Sequence, residues 1–176
     1  MDTTDFWALI ERARRRVADP SDSETVAEEA VALLAVRPVE EIVAAQQAFW
    51  ELMALSYRSA LWGAAHIVNG GCSDDAFEYF RGWLITQGRE TFERVVADPD
   101  ALADLTVIRD SVYDGLAVDG EVALSIAWDA HLKATGEHLP SGGFRVEYAH
   151  PGPAWDLDDP EETARQLPRL SALFAR

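Results

Sequence analysis

Apolar residues recur every three or four positions through most of the first 135 residues of this chain. In the first such segment, one apolar face is formed by Phe6, Ile10, Ala13 and Val17. This spacing is typical of an amphipathic α-helix, whereas a half-buried strand alternates apolar and polar residues. Because the pattern repeats in one segment after another, we predict an all-α fold, an irregular multi-helix bundle, for residues 1–135.

Capping and helix-breaking residues predict where these helices begin and end. The helical pattern of Pro38–Val68 is long for a globular domain, so we predict a kink or break within Ser56–Gly63. Asn69-Gly70-Gly71 is predicted to end this helix, since Gly and Asn tolerate the left-handed conformation of a C-terminal cap. Ser73 is predicted to cap the next helix, in which Gly82 indicates the close approach of another element.

Residues 136–176 differ from the rest of the chain because they are rich in Gly and Pro. Within them we predict one possible strand, Phe144–Tyr148, and a last short helix over Leu167–Phe174. Trp155 is predicted to hold the loop against the body of the protein. We therefore predict a mostly irregular C-terminal extension that packs on the same domain.

The chain is acidic, since 31 Asp and Glu residues against 15 Lys and Arg residues give a formal net charge of −16. The phosphates of nucleic acids and of anionic membranes favour cationic surfaces, so this charge argues against both as partners. No apolar run reaches the roughly 18 residues that span a bilayer. The N-terminal sequence MDTTDFW lacks the basic and apolar regions of a signal peptide. We therefore predict a cytoplasmic protein.

Acidic residues are concentrated between Asp98 and Asp129, where eight carboxylates and one Arg give a net charge of −7. A solvated acidic face is the simpler interpretation of this segment. The alternative is a surface that engages a basic partner, in which Asp104, Asp110 and Asp114 would take part.

The stretch Leu61–Leu84, LWGAAHIVNGGCSDDAFEYFRGWL, concentrates the side chains that are able to form a site. Its candidate ligand-binding residues are Trp62, His66, Asn69, Cys72, Asp74, Asp75, Arg81 and Trp83. In this hypothesis Arg81 holds a small anionic ligand, an Asp acts as a base or cation ligand, and the two Trp form walls. The structural alternative is a helix start with its usual carboxylates, buried aromatic residues and a semi-buried network of Arg81 with Asp74 and Glu78.

The single cysteine, Cys72, excludes an intramolecular disulfide. Helix amides near Ser73 would lower the pKa of the thiol, and the carboxylates of Asp74 and Asp75 oppose that effect. His66 is close enough in sequence to approach Cys72, as a Cys–His nucleophile requires, but a buried structural cysteine is favoured.

Metal and cofactor motifs are not found in the sequence. The four histidines and the cysteine show no ligand spacing of a metal site, and there is no Walker loop, GxGxxG after a strand, GxSxG or HExxH. We predict no metal and no cofactor, and the catalytic residues of an enzyme, if it is one, stay unassigned.

Three segments carry a resemblance to a known family: FWALIERAR, LWGAAHIVNGGCSDDAFEYFRGWLITQGRETF and ADPDALADL. They resemble the bacterial family catalogued as domain of unknown function 4240, over about residues 1–135. The resemblance implies a helical fold and little chemistry, since the function of that family is not established. The Gly-rich segment after Gly136 lies outside the resemblance.

Two functions are consistent with these observations. The first is a non-enzymatic binding or interaction protein whose acidic surface engages a basic partner. The alternative is an enzyme or small-ligand binder with a site at the Asn69–Arg81 turn. The sequence leaves the oligomeric state open.

Overall fold

The computed structural model describes residues 1–114, 118–142 and 144–175. In these residues the chain forms ten α-helices, two 3₁₀ helices and no strand, which confirms the predicted all-α fold. The α-helices are α1 Thr3–Arg14, α2 Ser23–Leu34, α3 Val39–Leu55, α4 Ser59–Asn69, α5 Asp74–Thr86, α6 Arg89–Ala97, α7 Thr106–Asp114, α8 Ile126–Thr135, α9 Pro160–Gln166 and α10 Pro168–Phe174. The 3₁₀ helices span Pro99–Asp104 and Glu121–Ser125.

The helix boundaries in the middle of the chain confirm the predicted break and caps. α3 ends at Leu55, where the Ser56 hydroxyl donates to the Leu52 carbonyl at 3.0 Å, and α4 begins at Ser59. α4 ends at Asn69 and is capped by Gly70, whose φ of 64° is the left-handed conformation that glycine adopts without strain. The Ser73 hydroxyl then accepts a hydrogen bond from the Ala76 amide and caps α5.

The hydrophobic core lies between α1, α2, α3, α5 and α8, which pack against one another. Its largest fully buried side chains include Phe6, Ile10, Leu34, Ile42, Met53, Phe77, Phe80 and Leu84. Burial of each such side chain contributes roughly 1.5–3 kcal/mol, so these helices form the rigid body on which the sites described below depend. Within the described part of the chain, no helix is long and apolar enough to cross a membrane.

Gly82 marks a close approach, as predicted. A Cβ atom at Gly82 would lie 2.7 Å from the Gly120 carbonyl oxygen, and a Cβ atom at Gly120 would overlap the backbone of Trp83. The two glycines therefore allow the residues before the Glu121–Ser125 helix to lie directly on α5.

The C-terminal extension packs against α4, and two of its contacts lie in the first half of that helix. Ser59 donates its amide to the Pro151 carbonyl at 2.8 Å. The ring of Trp155 lies against Gly63, where a Cβ atom would overlap it, and its Nε1 donates to the Thr163 hydroxyl at 3.1 Å. The lack of a side chain at Gly63 thus makes room for the indole of Trp155.

The predicted strand Phe144–Tyr148 is wrong, because these residues form neither strand nor helix. A strand needs a neighbouring strand for its backbone groups, and the described residues provide none. The Arg145 amide instead donates to the side-chain oxygen of Gln47 in α3 at 2.8 Å. The predicted last helix is confirmed as α10, whereas α9 was not predicted.

Candidate functional site

Arg81 lies on α5 and is buried, with 3% of its surface exposed. Its Nη1 donates to the Met53 carbonyl at 2.7 Å and its Nε donates to the Phe77 carbonyl at 3.3 Å. Among the described residues, no carboxylate lies within ion-pair distance of its guanidinium, so the predicted network with Asp74 and Glu78 is not formed. Burial lowers the pKa of Arg81, an effect that Tyr148 and Glu78 oppose.

Aromatic rings surround the Arg81 guanidinium. Its central carbon lies 4.7 Å from the ring centroid of Phe77, 5.2 Å from that of Tyr57 and 5.4 Å from that of Tyr148. A cation over the face of an aromatic ring is attracted by the quadrupole of the ring. Tyr148, which comes from the extension, therefore covers a guanidinium that Tyr57 and Phe77 also flank. We call the place that the Tyr148 ring fills against Tyr57, Phe77 and Arg81 the recess.

Trp62 and Cys72 lie beside this recess. The ring of Trp62 stacks on Phe77, with centroids 4.6 Å apart, and its Nε1 donates to the Cys72 carbonyl at 3.1 Å. Burial is the main cause that raises the pKa of the Cys72 thiol to about 11, although Arg81 acts in the opposite direction. The thiol is therefore protonated near neutral pH, as expected for a structural cysteine.

His66 and Asn69 make other contacts. The Nε2 of His66 lies 3.9 Å from a carboxylate oxygen of Asp158, and no hydrogen bond joins it to Cys72 in the described residues. The Asn69 side chain donates to the Val118 carbonyl at 3.2 Å and accepts from the Val118 amide at 2.8 Å. Asn69 thereby holds the loop before the Glu121–Ser125 helix against the end of α4.

The remaining candidates are Asp74, Asp75 and Trp83. Both carboxylates are exposed in the first turn of α5, where they stabilise the positive end of the helix. Trp83 is buried on α5 and its ring lies 5.4 Å from that of Phe80. The structure therefore brings Trp62, Cys72 and Arg81 together, and it places Trp83 in the wall of a separate cleft.

This cleft has a volume of about 580 Å³ and lies where α2 begins, α5 ends and α7 passes. That volume is within the range of small-ligand sites, roughly 300–1,000 Å³. Buried residues that line it include Ser23, Trp83 and Gln87. Four exposed carboxylates also line it, those of Asp22, Glu24, Asp110 and Asp119. We call this feature the acidic cleft.

Polar groups beneath the acidic cleft are bonded to one another. The Thr86 hydroxyl donates to the Ser23 hydroxyl at 3.0 Å, and the Gln87 side chain donates to the Ser21 carbonyl at 3.2 Å. Arg14 donates through Nη1 to the carbonyls of Pro20 and Thr86, each at 2.6 Å. Because the guanidinium of Arg14 is directed at backbone carbonyls, it does not pair with the carboxylates of the cleft.

Negative charge extends from the acidic cleft along α5. The carboxylates of Glu121, Asp75 and Asp119 raise the pKa of the Tyr79 hydroxyl, with Glu121 as the largest cause. A raised pKa is expected where nearby negative charges disfavour the phenolate. This surface therefore attracts cations.

The first part of the acidic segment is engaged by the extension. Arg169 at the start of α10 pairs with Asp98 at 3.2 Å, with Asp100 at 3.3 Å and with Asp104 at 3.0 Å. Asp100 also accepts the backbone amides of Arg169 and Leu170 at 3.0 and 2.9 Å. The side chain of Asp114, a residue predicted to meet a partner, lies outside the described residues.

Sequence reasoning missed the acidic cleft because its walls come from four separate segments. The signals that were present are the helix-start carboxylates Asp22 and Glu24 and the acidic residues Asp110 and Asp119. Nothing in their spacing shows that they meet. In the described residues, no group of three or more His, Cys, Asp or Glu side chains is arranged to hold a metal ion.

Comparison with known families gives a match to most of the chain. The model of a family described as "Protein of unknown function (DUF4240)" matches residues 1–133, which is more than half of the chain. No curated protein and no solved structure matches the chain.

Proposed function

We propose that this chain, which belongs to the DUF4240 family of unknown function, is a binding protein whose acidic cleft takes a basic side chain of a partner protein. The observation that carries the proposal is the set of four exposed carboxylates around one concave cleft, those of Asp22, Glu24, Asp110 and Asp119. An Arg or Lys side chain of the partner would place its charge among them.

The carboxylates of the acidic cleft have no cationic partner within the described part of the chain. Asp22 and Asp119 accept backbone amides of Glu24 and Glu121, so these two side chains are held in place. Fixed like charges in one cleft repel each other, and a bound cation would relieve that repulsion. The cleft is therefore electrostatically prepared for a cation.

The buried lining fits the stem of a basic side chain. Trp83 and Leu105 offer apolar surface in the same cleft as the carboxylates. Arg and Lys bury their methylene stems on such surface while the charged end meets polar groups. An aromatic wall adds to the attraction when the cation lies over the ring.

The test is binding of a hexa-arginine peptide, measured by calorimetry and by amide chemical shifts. We expect salt-sensitive binding, with shifts centred on the cleft. In the double variant Asp110→Asn, Asp119→Asn, the Kd should rise about tenfold, which corresponds to ~1.4 kcal/mol. The side-chain oxygen of Asn at position 119 can still accept the hydrogen bond from the Glu121 amide, so the fold should be preserved.

The matched control is the double variant Glu137→Gln, Glu147→Gln, which removes the same charge from exposed positions in the extension. Its Kd should change less than about twofold, because general charge attraction is screened beyond a Debye length. Equal weakening in both double variants would show that net charge, and not the cleft, attracts the peptide. Binding without shifts at the cleft would contradict the proposal directly.

A second candidate function is a small-ligand site at the Asn69–Arg81 turn, and one observation favours it. Arg81 is buried and its guanidinium has no carboxylate partner in the residues described. Most buried charges are paired, so an anion at Arg81 would complete an arrangement that the fold leaves without a counter-ion.

A further inference from the structure

We propose that the recess of Tyr57, Phe77 and Arg81 binds a small aromatic carboxylate, and that Tyr148 occupies the place of this ligand in the present structure. The inference rests on the second candidate function and does not depend on the acidic cleft. It goes further because it gives the chemical class of the ligand and identifies the group that must leave.

The recess contains the positive charge of Arg81. The guanidinium of Arg81 donates to the carbonyls of Met53 and Phe77 and is flanked by aromatic rings. These are neutral groups, and they stabilise a buried cation less than a carboxylate in contact does. The Glu78 carboxylate also favours the charged guanidinium, but it lies beyond ion-pair distance. The planar guanidinium also matches a carboxylate in a two-bond geometry that no single carbonyl offers.

The present occupant of the recess is the phenol ring of Tyr148. The ring centroid of Tyr148 lies 4.7 Å from the ring centroid of Tyr57 and 5.4 Å from the central carbon of the Arg81 guanidinium. Burial raises the pKa of the Tyr148 hydroxyl, with Arg81 acting in the opposite direction, so the occupant is a neutral phenol near pH 7. An aromatic carboxylate would keep the ring contacts and bring a negative charge within ion-pair distance of Arg81.

Tyr148 is held by ring contacts, by a side-chain hydrogen bond to Arg81 and by an irregular segment that is fixed at its two ends. Tyr148 is 41% exposed, and residues 144–152 form neither helix nor strand. Hydrogen bonds at both ends hold this segment, from the Arg145 amide to Gln47 and from the Ser59 amide to the Pro151 carbonyl, each at 2.8 Å. The ring can therefore leave the recess without unfolding a helix.

The segment is also separate from the part of the chain that defines the family. The family model matches residues 1–133, which include Tyr57, Phe77 and Arg81, whereas Tyr148 lies beyond the match. The recess thus belongs to the family region and its cover belongs to the extension. This division agrees with a cover that the extension adds to a site of the family region.

The experiment uses benzoate as the probe and benzamide as its neutral analogue of nearly equal shape. Both are titrated into the wild-type chain and into Tyr148→Ala, with calorimetry for the Kd and the Nε–H signal of Arg81 as a local readout. We expect Tyr148→Ala to bind benzoate about tenfold more tightly than the wild type does. We also expect this variant to bind benzoate about tenfold more tightly than benzamide. Binding of benzoate should shift the Arg81 signal.

The controls separate the recess from its surroundings. Val146→Ala changes an exposed side chain of the same segment and should leave benzoate binding as in the wild type. Adding Arg81→Met to Tyr148→Ala should abolish benzoate binding. Because loss of Arg81 also removes packing, Arg81→Lys is the second variant, and it should weaken binding while it keeps the charge.

Three results would overturn the proposal. Equal binding of benzoate and benzamide by Tyr148→Ala would show that the recess accepts a ring and does not recognise charge. No binding by a folded Tyr148→Ala, judged by circular dichroism, would show that Arg81 is a structural cation, and the second candidate function would fail with it. If benzoate binds at Arg81 with equal Kd in the wild type and in Tyr148→Ala, the second candidate function would stand. The proposal that Tyr148 occupies the place of the ligand would then be refuted.

Discussion

Replacing Asp100 by Ala should release α10 from the body of the protein. The Asp100 side chain is 10% exposed and accepts the backbone amides of Arg169 and Leu170 at 3.0 and 2.9 Å. It also pairs with the Arg169 guanidinium at 3.3 Å. A carboxylate from a distant helix thus satisfies the start of α10, a role that a local N-cap residue usually has.

The expected cost follows from these contacts. Loss of an N-cap side chain costs about 0.5–2 kcal/mol, and hydrogen bonds to a charged group contribute about 1.5–3 kcal/mol each. The contributions overlap, because all of them involve the same carboxylate. We therefore expect Asp100→Ala to lower the free energy of unfolding by about 3 kcal/mol, or the Tm by roughly 6–12 °C at this chain length.

The assay is urea unfolding together with hydrogen exchange at the amides of Arg169 and Leu170. The matched control is Asp104→Ala, because Asp104 pairs with the same Arg169 but its side chain is 44% exposed. An exposed ion pair is worth less than about 1 kcal/mol, so the control should change stability little. Equal losses in both variants, or unchanged protection of the Leu170 amide in Asp100→Ala, would refute the reasoning.

Three further predictions follow from single contacts. Gly120→Ala should lower the free energy of unfolding by about 3 kcal/mol in urea, because the new Cβ would overlap the Trp83 backbone, which cannot shift alone. Asn69→Ala should cost about 2 kcal/mol in the same assay by removing both hydrogen bonds to Val118. Asn69→Asp keeps the acceptor for the Val118 amide but turns a carboxylate oxygen toward the Val118 carbonyl, so it should cost at least as much. Since the pKa of Cys72 is raised from 9.0 to about 11, alkylation of the native thiol should be slow at pH 8. As the pH rises, the thiol loses its proton in the unfolded chain before it does so in the folded chain. The free energy of unfolding, measured relative to that of Cys72→Ala, should therefore fall between pH 9 and 11.

Local features of the fold were predictable from the sequence, because local chemistry determines them. Gly70 ends α4 in the left-handed conformation and Ser73 caps α5, and both outcomes depend on the properties of one residue and its neighbours. Gly destabilises the interior of a helix, so its presence at position 82 indicated that another element approaches there. Such signals fix helix ends without any knowledge of the tertiary structure.

Contacts between distant segments were not predictable in this way. The amide of Asn69 binds Val118, 49 positions later, and Arg169 pairs with Asp100, 69 positions earlier. The sequence pattern of Phe144–Tyr148 favoured a strand, yet a strand forms only where another strand supplies backbone partners. For the same reason, the candidate site at the Asn69–Arg81 turn was visible as a list of residues, whereas their distribution over separate surfaces was not.

The acidic segment Asp98–Asp129 shows why net charge alone does not locate a binding surface. Its first carboxylates are engaged by Arg169, so a basic partner would have to displace an intramolecular cation there. Asp110 and Asp119 line the acidic cleft and have no ion pair in the described residues, so a partner meets no competitor at that place. Affinity depends on the difference in free energy between the bound and free states. Carboxylates that are unpaired in the free protein therefore contribute more to binding a basic partner than carboxylates that must first give up an ion pair. The same consideration distinguishes Arg81 from Arg169. In the described residues Arg81 has no carboxylate within ion-pair distance, whereas Arg169 has three, so an anion has more to gain at Arg81.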